Sequence, residues 1–225
     1  MEYSYVILCN GDFPRKKEVL QILIQADLLV CCDGAADELL KYREPDIVIG
    51  DIDSISERTQ KILKGRIQKV TEQETNDLSK AFRYVCDKIC HLRDESGYIK
   101  PDRISIRILG ATGKREDHTL GNISHLADFC EVTDKMDENI ALSMISDYGM
   151  FIPLTDDVSM DIPEGTNISL FSFDPALKIT SEGLQYPVDN VVFDMWWKAT
   201  LNCVGKSPIS LRFNHKSKVL LYISF

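Results

Sequence analysis

Asp51 and Asp53 lie two residues apart, directly after the apolar run Ile47-Val48-Ile49 in the stretch from Pro45 to Ser56. Carboxylates just past the end of a short buried strand suit a hard cation such as Mg²⁺ carrying a phosphate. The same stretch also has a plainer reading: Ser54 followed by Glu57 forms a capping-box pattern for the next helix. Spacing alone does not separate the two. Asp77 opens a long amphipathic run, where the helix dipole by itself would stabilise a carboxylate; folded beside Asp51 and Asp53, it would join them in holding metal. Gly110-Ala-Thr-Gly-Lys-Arg-Glu-Asp-His118 joins a strand-like run to a helical one, an arrangement that turns backbone amides toward an anion. Gly110, Thr112, Gly113 and Lys114 are its candidate phosphate contacts. The loop is not a Walker A motif, because only two residues separate its glycines and Arg115 follows Lys114. His118 and His125 read as surface or partly buried histidines rather than metal ligands.

Composition narrows the chemistry. The 225 residues carry a net charge of −9 with no basic stripe, which argues against a nucleic-acid partner. The seven cysteines are odd in number, form no CxxC pair and lie partly inside apolar runs. That pattern fits free thiols in a reducing compartment better than a disulfide framework or a zinc site. The first ten residues have neither the positive region nor the apolar length of a signal or membrane segment. The expectation is a soluble, cytoplasmic protein that binds small molecules, with no nucleic acid and no membrane.

The elements that must position these residues alternate. Tyr5–Cys9, Leu28–Cys32 and Asp46–Gly50 read as buried strands, separated by helical patterns over 16–26 and 35–40. Further helices are expected at 56–64, from Asp77 onward, and after the glycine loop with Leu120, Ile123, Leu126 and Ala127 inward. Strands are expected at 66–70 and 104–109, and a polar loop over 91–102. Strand–helix alternation implies right-handed crossovers and a parallel sheet, which would gather Asn10, Asp33 and Asp51 along one edge where such sheets hold ligands. From residue 139 the pattern changes to strands at 139–146, 149–154, 167–173, 178–184, 190–197, 209–214 and 219–224. The expected fold is α/β: an N-terminal Rossmann-like, mostly parallel sheet domain over 1–148, then a small C-terminal antiparallel β-sandwich domain over 149–225.

Five blocks in this order resemble the thiamine pyrophosphokinase family: Cys32-Asp-Gly-Ala-Ala-Asp37, Pro45 to Ser54, Thr75-Asn-Asp-Leu-Ser-Lys-Ala81, Gly110 to His118, and Thr180-Ser-Glu-Gly-Leu-Gln-Tyr186. The resemblance implies Mg²⁺-dependent transfer of pyrophosphate from ATP to the hydroxyl of thiamine, giving thiamine diphosphate and AMP. It also implies a homodimer with active sites at the subunit interface. By position it puts Asp51, Asp53 and Asp77 at the metal and nucleotide phosphates. Asp117 falls at the substrate hydroxyl as base or orienter, and Arg115 at the transferring group. Asp33, Gly34 and the glycine-loop residues fall at the nucleotide, and the 149–225 domain at thiamine binding and dimerisation. Two departures stand out. Asp33-Gly-Ala-Ala-Asp37 replaces a pattern with a second glycine and an asparagine, and Leu201-Asn202 stands where a Ser-Asn pair resembles part of the thiamine site. Asn202 is carried over as a thiamine contact. Just upstream, alternating strand geometry turns one of Trp196 and Trp197 in and one out, which leaves one ring to stack on the thiazolium or pyrimidine, with dimer packing as the other reading of the pair. Two rivals share these residues: a nucleotide-dependent transferase acting on another small alcohol, and a non-catalytic nucleotide or thiamine sensor.

Overall fold

Runs of apolar side chains form strands that can be buried on both faces, and the segments 6–8, 29–32 and 48–49 are such runs in the middle of the first unit. The computed structural model describes residues 2–70, 72, 74–94, 102–136 and 139–225. Two units are resolved by their internal contacts: residues 1–125 with 132–147, and residues 126–131 with 148–225.

In the first unit, β1 (Glu2–Leu8), β2 (Leu28–Cys32), β3 (Ile47–Gly50), β4 (Ile67–Lys69), β5 (Arg103–Leu109) and β6 (Ile140–Ser146) pair in the order β6-β5-β1-β2-β3-β4. Every pairing among them is parallel. Val6, Ile7, Leu8, Leu29, Val30, Val48, Ile106 and Ile108 are inaccessible to solvent. The helices are α1 (Lys17–Ile24), α2 (Ala35–Leu39), α3 (Glu57–Ile62), α4 (Asp77–Asp94) and α5 (Glu116–Met136). α4 packs across β1, β2 and β3. The strand order runs outward in both directions from the β1–β5 pair, so the topological switch point lies there. Loops after those two strands therefore diverge and leave room for a ligand.

Several expectations are corrected at this level. The α3 cap is Ser56, not Ser54: its hydroxyl accepts from the Thr59 amide, while Asp37 accepts from the Ser56 hydroxyl at 2.5 Å, the Ser56 amide at 3.0 Å and the Thr59 hydroxyl at 2.5 Å. Leu120 is exposed rather than inward, because the buried face of α5 runs through Asn122, Leu126, Phe129, Cys130 and Thr133. Of the polar loop expected at 91–102, α4 takes up residues to Asp94 and 95–101 lie outside the described residues.

The second unit pairs β7 (Gly149–Leu154), β9 (Asn167–Ser172), β13 (Val219–Ser224) and β11 (Asn202–Cys203) antiparallel in the order β11-β9-β13-β7. A second antiparallel sheet has the order β10-β12-β8, from Ile179–Glu182, Ile209–Phe213 and Val158–Met160. Alternate residues of these strands, among them Ile168, Leu170, Ile179, Leu211, Val219 and Leu221, form one buried cluster. Lys218 binds Asp128 at 2.8 Å and Glu131 at 3.0 Å, fixing this stretch of α5 within the same unit. The strand expected at 190–197 does not form; Trp196–Ala199 is a single 3₁₀ turn. Short β8 and β11 were not anticipated, being only three and two residues long.

Candidate active site

The glycine loop is fastened at the switch point by main-chain bonds. The Cys9 amide donates to Leu109 O at 2.8 Å, Gly11 to Gly110 O at 2.6 Å and Asp12 to Thr112 O at 2.8 Å. A Cβ on Gly11 would stand 2.3 Å from Gly110 O, so this approach requires glycine. Asn122 fixes the loop from the helix side. Its buried amide donates to Ala111 O at 2.8 Å and accepts from Asn76 Nδ2 at 3.2 Å. Asn76 in turn caps α4 through the Ser79 amide, 2.9 Å away, and so sets the glycine loop against the helix that begins with Asp77.

Around these loops lies a cleft of about 670 Å³, whose lining residues all belong to the first unit. Asp33, Asp51, Asp77, Gly113, Lys114 and Arg115 line it, as does Asn10, the third strand-end residue expected on this edge. Gly34, Gly110, Thr112, Asp53 and Asp117 do not line it. Gly34 and Gly110 instead allow close backbone packing, since a Cβ would meet Asn10 Nδ2 at 2.7 Å in the first case and Cys9 O at 2.5 Å in the second. Ser54, Glu72, Thr75, Asn76, Lys80, His118 and Asn122 line the cleft as well, although no sequence motif marks them as ligand contacts. Three of them, Thr75, Asn76 and Lys80, fall in the Thr75 to Ala81 block beside Asp77, the residue of that block whose side chain the sequence singles out.

Asp51 and Asp53 do not project side by side. Ile52 between them has a φ of +78°, which turns the chain, and the Ile55 amide closes that turn on Ile52 O at 3.2 Å. Asp51 faces the cleft, whereas Asp53 is exposed and its amide donates to Asp51 Oδ1 at 3.3 Å. A β-branched residue at positive φ is strained. Asp33 and Lys114, at +35° and +58°, share that strain, so among the described residues three of the four non-glycine residues with positive φ lie in or beside the cleft.

Asp33 is 5% exposed, and its Oδ1 has no hydrogen-bond partner among the described residues. Burial pushes its carboxyl above the ordinary value; Ser54 hydrogen bonds pull it back in part, and the charges of Asp51 and Asp77 push it up again. The three carboxylates are therefore close enough to repel. Hard oxygen donors, mutual repulsion and an orphaned buried oxygen together fit a Mg²⁺ ion. Among the described residues no group of three acidic, His or Cys side chains forms a ready chelate.

Arg115 grips Asp117 at both oxygens, 3.1 and 2.6 Å away, and the His118 amide donates to the same carboxylate at 2.9 Å. The Arg115 bonds, followed by that amide, hold the Asp117 carboxyl down to about 2. A carboxylate so stabilised orients a donor better than it removes a proton.

In the second unit, Asn202 is 5% exposed and its amide is committed to the main chain, donating to Tyr186 O at 2.7 Å and accepting from the Cys203 amide at 2.8 Å. Trp196 packs edge-on against Phe171 and Phe173, with ring centroids 6.0 and 5.4 Å apart. Trp197 is 69% exposed, and no ring contact is found for it among the described residues. The 3₁₀ turn, rather than strand alternation, separates the two rings.

A parallel sheet whose switch-point cleft is lined by carboxylates, a glycine loop and cations defines an α/β protein that handles phosphate esters. Residues 19–142 match the thiamin pyrophosphokinase catalytic domain and residues 149–222 the thiamin pyrophosphokinase substrate-binding domain, so the chain belongs to the thiamin pyrophosphokinase family. Thiamine pyrophosphokinase 1 of rice (Oryza sativa subsp. japonica) is 28% identical over 214 residues, covering 84% of this chain and 74% of that protein. The fold is shared with two solved structures. One is the thiamine pyrophosphokinase of Bacillus subtilis, with a TM-score of 0.75 at 22% identity and 98% of each chain covered. The other is the yeast enzyme, with a TM-score of 0.78 at 19% identity, covering 99% of this chain and 86% of that one.

Proposed function

We infer that this chain is an ATP:thiamine diphosphotransferase, and the observation that carries the reading is the match of both of its parts to the two domains of one family. The thiamine hydroxyl oxygen bonds to the β-phosphorus of ATP. The α–β bridge breaks, AMP leaves with the bridging oxygen and its electrons, and the hydroxyl proton is released. No covalent enzyme intermediate is needed, so catalysis is positioning plus stabilisation of charge.

Asp51 and Asp77 of the cleft, with Asp53 at its rim, would hold Mg²⁺, which supplies charge neutralisation on the phosphates when bound. Arg115 neutralises charge on the transferring group, and Asp117 orients Arg115 and the acceptor hydroxyl. Gly113 and Lys114, which line the cleft, cradle the nucleotide phosphates; Gly34, Gly110 and Thr112 support them from the turns behind, and the buried Asp33 carboxylate would meet the nucleotide only through the metal. The second unit supplies thiamine binding and dimerisation. Trp197 is its free stacking surface, while Asn202 shapes the loop from Tyr186 rather than offering its amide to the vitamin. The assembly is a homodimer in which each active site combines residues of both subunits. All seven cysteines are free thiols, in keeping with a reducing cytoplasm; among the described residues no helix is long and apolar enough to cross a membrane.

The test is to incubate the protein with thiamine and Mg-ATP and resolve the nucleotides. AMP formed one-for-one with thiamine diphosphate is the expected result. ADP formation, or tight thiamine binding without turnover, would replace this reading with one of its two rivals, a transferase of different chemistry or a sensor.

A further inference from the structure

Lys114 occupies a backbone position that sterics favour for glycine. Its φ is +58°, and the Arg115 amide donates back to Gly113 O at 2.7 Å, closing a three-residue turn centred on Lys114. With positive φ at its centre this is the rare, strained form of the γ-turn. Glycine would adopt it without penalty, whereas a lysine there destabilises the fold. The main-chain bonds that hold the loop at Gly11 and Asp12 make no use of the lysine side chain. The strain therefore calls for a function in the side chain itself.

That side chain lines the cleft, and its Nζ donates to Asn10 Oδ1 at 3.0 Å, from the loop after β5 to the loop after β1. The two other Lys or Arg residues lining the cleft are both occupied by carboxylates. Lys80 lies 3.2 Å from Asp77, and Arg115 lies 2.6 Å from Asp117. Among the described residues, Lys114 is the lining Lys or Arg held only by a neutral amide. An ammonium has three donors, so one bond to Asn10 leaves two for phosphate oxygens. A carboxylate partner would compete with phosphate for that charge; an amide competes far less.

We propose that Lys114 binds the pyrophosphate group being transferred, with Asn10 as the positioning residue that holds its ammonium at the switch point. The proposal rests on the reading of the chain as a pyrophosphokinase. Adjacency to Arg115 puts Lys114 at the pyrophosphate end of ATP rather than the adenosine end.

Lys114→Gly relieves the strain while removing the charge, so it separates structure from function. Its melting temperature is expected to equal or exceed that of the wild type. Its kcat/KM for Mg-ATP is expected to fall about tenfold or more, the size of one lost charge-assisted bond, with KM for thiamine within about twofold. Inhibition by inorganic pyrophosphate should weaken by a similar factor and inhibition by AMP should not. Lys114→Arg should recover most of the ATP parameter. Unchanged ATP and pyrophosphate parameters in Lys114→Gly would overturn the proposal, as would equal weakening of AMP. Should the wild type make no thiamine diphosphate, the functional reading fails on its own. Calorimetric binding of magnesium pyrophosphate to the wild type and to Lys114→Gly still decides the role of Lys114: equal affinities reject it, and weaker binding by the variant supports it.

Discussion

Arg115 and Asp117 form a planar two-bond pair on the surface, and its pH behaviour follows from the direction of the Asp117 shift. The carboxyl is lowered from the ordinary 3.8 to about 2, so the pair is fully formed above the ordinary value and is lost as pH falls through about 2. Carboxyl NMR should show Asp117 titrating near the lower value in the wild type and moving up toward the ordinary one in Arg115→Gln. An unmoved titration would mean that the His118 amide alone sets it. Asp53 presents a sharper question, since it is exposed and outside the cleft lining while the proposed metal role needs it at the rim. Asp53→Asn should lower kcat by about 100-fold or more with an unchanged melting temperature, the scale of losing a group that acts on developing charge. Near-normal turnover would leave Asp51 and Asp77 as the metal carboxylates.

Among the elements, the chain Ala111–Asn122–Asn76–Ser79 ties the glycine loop to the start of α4. Asn122→Ala leaves a buried carbonyl and a capping amide unpaired, which should cost about 1–3 kcal/mol in urea denaturation. Because the loop also loses its anchor, kcat should fall with it; a drop in stability with full activity would show the loop to be held by its main-chain bonds alone. This tie also marks the limit of what the sequence conveys. Parallel strands β1, β2 and β3 were legible because each contains a continuous apolar run followed closely by a polar residue, and Asn10, Asp33 and Asp51 followed from strand ends alone. Asn122 was not legible, since a polar residue inside a helical run gives no sign of which face it takes until α5 is packed. The turn at Ile52 was hidden for a related reason: a β-branched residue argues locally for extended backbone, and only the tertiary fold forces it to positive φ. The same conflict misplaced residues 190–197, where Val191, Val192, Phe193 and two tryptophans have strand composition yet form turns and one 3₁₀ turn.

At the scale of the whole molecule, the cleft residues lie in one unit and the exposed Trp197 in the other, so the proposed dimer makes a claim that bulk activity cannot test. If each active site joins the first unit of one subunit to the second unit of its partner, a subunit damaged only in the cleft still contributes a sound thiamine surface. Asp77→Asn and Trp197→Ala should each be strongly impaired as homodimers. Co-expressed with different tags and purified through both, they should give a heterodimer with one site damaged twice and the other intact. Symmetry then sets the expected activity at about half that of the wild-type dimer, with a wild-type KM for thiamine. A doubly tagged dimer no more active than its parents would place each site within a single chain, and a protein that sediments as a monomer while retaining full activity would remove the need for a partner.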